Sequence, residues 1–268
     1  MKNYIFTDLA CETAEENCIK REKINEKLAR AEINGEGGDL SVTYFTPRLW
    51  LLENDDHTLL TERLAREIRE LSNKMTSSKL LKRILVVGLG NPRLTPDSLG
   101  SQTVEHILVT DPVEENENAL MAIAPDVSGN TGIETLDAVR AYVDRLRPDI
   151  IIIIDSLRAG SYERLGATVQ ISGSGITPGS GVGNARSAIT RASLGVPVIS
   201  IGVPTVVSSS TLIYEAIEGC GASVDNEKLI SLLKNRLSFL VMPKEADVLI
   251  KSAAFVLADA INSAFSRR

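Results

Sequence analysis

The stretch Ile150-Ile151-Ile152-Ile153-Ile154-Asp155 decides the fold. Five β-branched side chains in a row, with no polar alternation, describe a strand covered on both faces. Such strands belong to parallel sheets flanked by helices. Upstream, Pro148 closes the helical pattern of Ile133 to Leu146. A second run of the same kind, Ile84-Leu85-Val86-Val87, leads into Gly88-Leu89-Gly90-Asn91, and a third covers Val196 to Ile201. A shorter strand is predicted over Thr168 to Ile171, with helices over Leu99 to Val109 and Ser210 to Ile217. Helices over Leu229 to Phe239 and Glu245 to Phe265 close the chain.

Toward the N terminus the signals weaken. Residues 1 to about 20 are polar and acidic and are not expected to join a core. Glu22 to Arg30 reads as a helix stopped by the glycines after Asn34, and Leu40, Val42 and Tyr44 alternate as a strand does. Thr61 to Leu71 is an amphipathic helix with Leu64, Ile68 and Leu71 on one face, and Ser72 to Ser78 is a linker. The whole predicts an α/β protein, a three-layer α/β/α domain with a mostly parallel central sheet over 81–268. An N-terminal extension, 9–80, packs on it.

A chain of 268 residues can bury one substantial core. Its net charge of -6, spread without long blocks, argues against direct nucleic-acid binding, which needs concentrated Lys and Arg. Cys11, Cys18 and Cys220 are widely spaced with no CxxC pair, and read as reduced thiols in a cytoplasmic setting. No signal peptide is expected, and no apolar run approaches the roughly 18 residues of a membrane span.

Function concentrates at the strand ends. Ligands of open parallel sheets bind outside the carboxyl ends of the strands, where Asp97 follows the Ile84–Val87 run and Asp155 the Ile150–Ile154 run. Gly88-Leu89-Gly90-Asn91 lacks the third glycine of a dinucleotide fingerprint, and Pro92 and Pro96 keep the chain extended where its helix would begin. Two close aspartates can share a proton, one activating water and the other protonating a leaving amine. The same pair can instead hold one divalent cation that polarises a carbonyl. As a structural residue, Asp155 would only cap a following helix.

The segment Ile171 to Asn184 has five glycines in fourteen residues and is expected to line the cleft. Gly179, Ser180, Gly181, Asn184 and Arg186 are its candidate substrate-binding residues, with backbone N–H groups available to a peptide or an oxyanion. Pro204 fixes a turn after the third strand and Thr205 offers a hydroxyl there, while Glu134 is expected to cap a first helical turn. Asn91 completes the candidates. His57 and His106 accompany no serine or cysteine that would make a triad.

Taken together, Val87 to Asn91, Thr95-Pro96-Asp97-Ser98-Leu99-Gly100, Thr131 to Thr135, Ile154 to Leu157, Pro178 to Asn184, Leu194 to Ile199, Gly202 to Val207 and Met242-Pro243-Lys244-Glu245 resemble the germination protease family of spore-forming bacteria. The resemblance implies an endopeptidase that begins the degradation of small acid-soluble spore proteins in the spore core, with Asp97 and Asp155 as its essential aspartates. It implies an aspartic-type enzyme with no required cofactor; a divalent metal at Asp97 and Asp155 is the competing arrangement. It further implies a homo-oligomer, a tetramer, and a fold resembling hydrogenase maturation proteases. It also implies a self-processing zymogen whose propeptide, residues 1–8, is cut between Asp8 and Leu9 within Thr7-Asp8-Leu9-Ala10-Cys11-Glu12.

This chain departs from the family pattern in three places. It is shorter than the bacillus enzymes, Gly173 replaces an aspartate before the glycine loop, and Asp126 stands where glycine is usual. The other readings are a hydrogenase-maturation-type metal-dependent peptidase and a catalytically silent peptide-binding module. Two buried carboxylates argue against the silent module, since a binder gains nothing from the cost of desolvating them.

Overall fold

A computed structural model of the chain describes residues 7–35, 39–76, 81–110, 119–179, 186–221, 231–232 and 239–265. The N-terminal part holds a helical turn α1 (Ala10–Thr13), strands β1 (Ile19–Lys23), β2 (Ala29–Asn34) and β3 (Leu40–Phe45), and helix α2 (Asn54–Met75). Then come β4 (Arg83–Gly88), α3 (Leu99–Glu105), β5 (Ala119–Ile123), the turn α4 (Ser128–Thr131), α5 (Thr135–Leu146) and β6 (Ile150–Ala159). They are followed by β7 (Thr168–Ser172), the turn α6 (Arg191–Leu194), β8 (Val198–Ser208), α7 (Ser209–Gly219), β9 (Leu240–Val241) and α8 (Ala246–Phe265).

The layered α/β/α arrangement follows from the period-two division of the isoleucine strand. Ile150, Ile152 and Ile154 face a core shared with α2, α3 and α8, while Ile151 and Ile153 face a second core with Leu136, Val139 and Val143 of α5. β4 divides the same way, with Ile84 and Val86 on one side and Leu85 and Val87 on the other. Side chains that alternate between two apolar layers leave no polar face, hence the unbroken apolar runs.

The sheet itself corrects the expectation of a mostly parallel one. Its order is β1-β2-β3-β7-β8-β6-β4-β5, with β9 on β8. β5, β4, β6 and β8 run parallel, whereas β1, β2, β3, β7 and β9 are joined by antiparallel pairings. The cause is connection length. A parallel step needs a crossover of a dozen or more residues, and the chain between β6 and β7, like those between β1, β2 and β3, is too short to supply one.

Local expectations fail where side chains compete with the backbone. Glu22 to Arg30 is a hairpin and not a helix, because Asn25 Oδ1 accepts from the N–H groups of Lys27 at 2.8 Å and Leu28 at 2.6 Å and so closes a turn. The resulting β2–β3 pair is tied to α2 by Arg30, whose guanidinium donates to both carboxylate oxygens of Glu67 at 2.9 and 3.0 Å. Tyr44 donates to the same carboxylate at 3.1 Å. α2 runs on to Met75, through much of the expected linker, and β5 has no counterpart in the sequence reading. The helix expected over Leu229 to Phe239 lies largely outside the described residues.

α8 also departs from expectation: by length and composition it is a helix able to cross a membrane. Here 67% of its apolar window is buried, against α2 and α3. It is the core helix of one layer.

β4 meets α3 at two glycines. A Cβ on Gly100 would lie 2.3 Å from the Leu89 carbonyl oxygen, and one on Gly88 would lie 2.1 Å from the Gly100 carbonyl oxygen. Because backbone cannot swing aside, Gly100→Ala is expected to destabilise the fold by about 1–3 kcal/mol, read as a lower urea midpoint at unchanged slope.

Candidate active site

Asp155 does not end its strand. β6 continues to Ala159, and Asp155 pairs with Gly202 of β8, which itself runs on through Pro204 and Thr205 instead of turning. Proline is tolerated there because β8 carries an irregularity: Leu157 pairs with Pro204 and Arg158 with Val206, so Thr205 is the extra residue. The Thr205 side chain donates to the Pro96 carbonyl at 2.7 Å. Its hydroxyl is thus spent on holding the turn that presents Asp97.

Asp97 comes from a single 3-10 turn, Thr95–Asp97, folded back toward the end of β4. Its carboxylate accepts from the Asn91 N–H at 2.8 Å. Gly90, at φ +100, permits the approach, since an added Cβ would stand 1.9 Å from the Asp97 carbonyl oxygen. Asn91 Oδ1 in turn accepts from Asn130 Nδ2 at 3.1 Å, which anchors the loop to α4.

Asp97 and Asp155 line one cleft of about 850 Å³. Burial pushes the Asp155 carboxyl well above its ordinary value, and the Asp97 charge adds to this, with a smaller push from Asp8. The Ser156 N–H, donating to Asp155 Oδ1 at 2.9 Å, opposes the shift. Asp97 is also raised, first by burial and then by Asp126, against the Asn91 N–H. Burial and like charge both favour the protonated form, so this pair tends to keep a proton.

Asp126 explains itself by its backbone. It sits at φ +64, a left-handed conformation that glycine adopts freely and that Asp tolerates through local hydrogen bonds. Asp126 Oδ1 accepts from its neighbour's Val127 N–H at 2.7 Å and from Asn130 Nδ2 at 2.9 Å.

The other candidates divide. Gly179 and Arg186 line the cleft, whereas Ser180, Gly181 and Asn184 lie outside the described residues. Glu134 stands at the N-terminal boundary of α5 but makes no side-chain cap; its carboxylate faces Arg186 across 4.0 Å. Asp97 and Asp155 are the side chains that would hold a divalent ion; among the described residues no three His, Cys, Asp or Glu side chains converge.

The N terminus is the largest surprise. Leu9, expected outside any core, is fully buried against Leu157, Ala159, Leu165 and Val207. Thr7, Asp8, Leu9 and Ala10 line the same cleft as the two aspartates. The Asp8 N–H donates to the Arg158 carbonyl at 2.9 Å, and the Arg158 N–H donates to Asp8 Oδ2 at 2.8 Å. Gln170 of β7, absent from the sequence candidates, donates to the Asp8 carbonyl at 3.1 Å and accepts from the Ala10 N–H at 2.7 Å. A glutamine in a short strand gives no signal until its neighbours across the sheet are known.

Residues 6–220 match the family model described as germination protease. The chain belongs to the germination protease family. The germination protease of Caldanaerobacter subterraneus subsp. tengcongensis is 38% identical over 97% of this chain and 94% of its own length. That of Clostridium acetobutylicum is 32% identical over 98% and 95%. The [NiFe] hydrogenase maturation protease HycI from Thermococcus kodakarensis overlaps 70% of this chain and 97% of its own at 15% identity, with a TM-score of 0.39, too loose to define a shared fold. As a germination protease the chain is an endopeptidase.

An aspartate raised on folding keeps its proton in the folded chain over a range where the unfolded chain has lost it. Its stabilisation is complete below the unfolded value, about 3.9, and is lost as pH rises through the folded one. Asp155→Asn has no such proton to lose. It is expected to melt above the wild type at neutral pH, with the gap narrowing as the pH falls toward 4, in paired thermal scans.

Proposed function

We propose that Asp97 and Asp155 cleave peptide bonds as an aspartic-type pair, acting on small acid-soluble spore proteins and on the chain's own Asp8–Leu9 bond. One observation supports this above the rest: the cleft that holds both carboxylates also holds the chain's own Thr7–Ala10 segment. Asp155, more deeply buried and beside a second negative group, is the better holder of the shared proton; Asp97 is the better base.

In the reaction, ionised Asp97 takes a proton from water as the oxygen attacks the carbonyl carbon, and Asp155 then gives its proton to the carbonyl oxygen as negative charge builds there. The tetrahedral intermediate then collapses. The nitrogen takes the proton held by Asp97, the C–N bond breaks, and the new carboxyl group returns a proton to Asp155. The products are a carboxylic acid at the residue before the cut and an amine at the one after it, and the acid's proton passes to the amine through water. A divalent ion held by the same two side chains would supply carbonyl polarisation instead.

Family membership supports the spore-protein substrates, the setting in the forespore and spore core, and assembly as a homo-oligomer, a tetramer. The seating of Asp8 and Leu9 supports a precursor form in which residues 1–8 are the propeptide, 9–80 the extension and 81–268 the catalytic core.

Incubated with a purified small acid-soluble spore protein and read by mass spectrometry, the processed enzyme is expected to cut after acidic residues at one or a few sites. Asp97→Asn and Asp155→Asn are each expected to slow turnover by at least about 10³-fold, as loss of a proton-transfer group does. Intact substrate after verified removal of residues 1–8 counts against the assignment. A chelator is expected to leave the rate unchanged; its abolition, restored by added divalent ion, identifies the metal-assisted alternative.

A further inference from the structure

We propose that Gln170 is a catalytic residue whose side-chain amide stabilises the oxyanion formed on the scissile carbonyl. The inference rests on the reading that the Thr7–Ala10 segment occupies the cleft as a substrate does, with Asp8–Leu9 as the bond to be cut.

Every group around that bond is held. The Asp8 side chain accepts from the Arg158 N–H at 2.8 Å, and the Leu9 N–H donates to Thr7 Oγ1 at 3.0 Å. The Leu9 side chain fills the pocket of Leu157, Ala159, Leu165 and Val207, and Leu9 itself is extended at φ -84 and ψ 119. Gln170 spans the bond from both sides: Nε2 donates to the Asp8 carbonyl at 3.1 Å and Oε1 accepts from the Ala10 N–H at 2.7 Å. The second contact fixes which end of the amide faces which group. With Oε1 turned to an N–H donor, Nε2 has to face the carbonyl.

The sheet register places this amide relative to the acids. Gln170 pairs with Gly202, and Gly202 pairs with Asp155. The three lie in one row across β7, β8 and β6, with Cα atoms of the outer two roughly 10 Å apart by sheet spacing. The preceding row, Ile171, Ile201 and Ile154, points into the core under α2 and α8, so the row of Asp155 and Gln170 faces the other side. Gly202 carries no side chain of its own, and Leu157 fills the space above it and walls the Leu9 pocket. A peptide seated on Leu157, as Leu9 is, therefore meets the Gln170 amide in the same cleft as the Asp155 carboxyl.

Attack by water builds negative charge on the Asp8 carbonyl oxygen before the Asp155 proton reaches it. A fixed neutral N–H at hydrogen-bond distance stabilises that charge more than it stabilises the ground state, and loss of one such donor commonly slows turnover by about 10²–10³-fold. The donor brings no charge that would perturb the proton shared by the acids.

The test is self-cleavage of the full-length chain at Asp8–Leu9, followed by mass spectrometry across pH. Gln170→Glu keeps the shape and the acceptor for the Ala10 N–H but donates only when protonated; Gln170→Leu removes both contacts. Both are expected to cleave about 10²–10³-fold more slowly than wild type at neutral pH. The ratio of Gln170→Glu to wild type is expected to rise as the pH falls through the ordinary glutamate range, about 4.3, while that of Gln170→Leu stays flat. Should Gln170→Leu fail to fold, the isosteric Gln170→Glu carries the test alone. Neutral-pH cleavage by Gln170→Glu within a few-fold of wild type overturns the proposal, as does a rate ratio that does not change with pH. A cleaving Asp155→Asn chain overturns the two-carboxylate mechanism and leaves Gln170 judged by that ratio. A wild-type chain that leaves the bond intact overturns both.

Discussion

Everything at this site depends on holding a buried carboxyl group, Asp155, in the same cleft as a half-buried one, Asp97. Burial alone disfavours the charged form of Asp155, and a second carboxylate in the same cleft disfavours it further. The fold offsets that cost with local donors: the Ser156 N–H for Asp155 and the Asn91 N–H for Asp97. It then fixes the loop of Asp97 by means that hold no charge, through the Thr205 hydroxyl on Pro96 and the close backbone contact at Gly90. The proposed sharing of a proton rests on this constraint.

The mixed sheet has a functional consequence. The parallel half, β5-β4-β6-β8, supplies the turn of Asp97 beyond the end of β4 and Asp155 from within β6, one residue past its last pairing with β4. The antiparallel half adds β7, which runs back beside β8 and brings Gln170 into the row of Asp155. A wholly parallel continuation would require a crossover helix at this position and would set a different side chain against the cleft. The short step from β6 to β7 therefore both makes the sheet mixed and completes one wall of the site.

The N-terminal segment acts as a ligand of its own chain. It binds through backbone and apolar contacts available to any extended peptide with an acidic residue followed by a large apolar one: a side-chain carboxylate on a strand N–H, an apolar pocket, and an amide reading the backbone on both sides of the bond. On the proposed function, recognition of this kind would read conformation as much as sequence, an extended residue at the Leu9 position entering a helical turn at Ala10.

The layers were legible in local sequence, because strands with two apolar faces must be covered on both sides, and Asp97 and Asp155 stood out there, because a carboxylate beside such a strand is costly without a use. The sequence also carried the family motifs, whose residue order needs no coordinates. Helix against hairpin at Glu22 to Arg30 was beyond it, since one Asn25 side chain outweighs a helical pattern. The direction of β7, the burial of Leu9, the pairing of Glu134 with Arg186 and the placement of Gln170 were decided only by the tertiary structure. Each depends on residues far apart in the chain that meet through strand register, and register is set by packing across the whole sheet, which no local stretch of sequence contains.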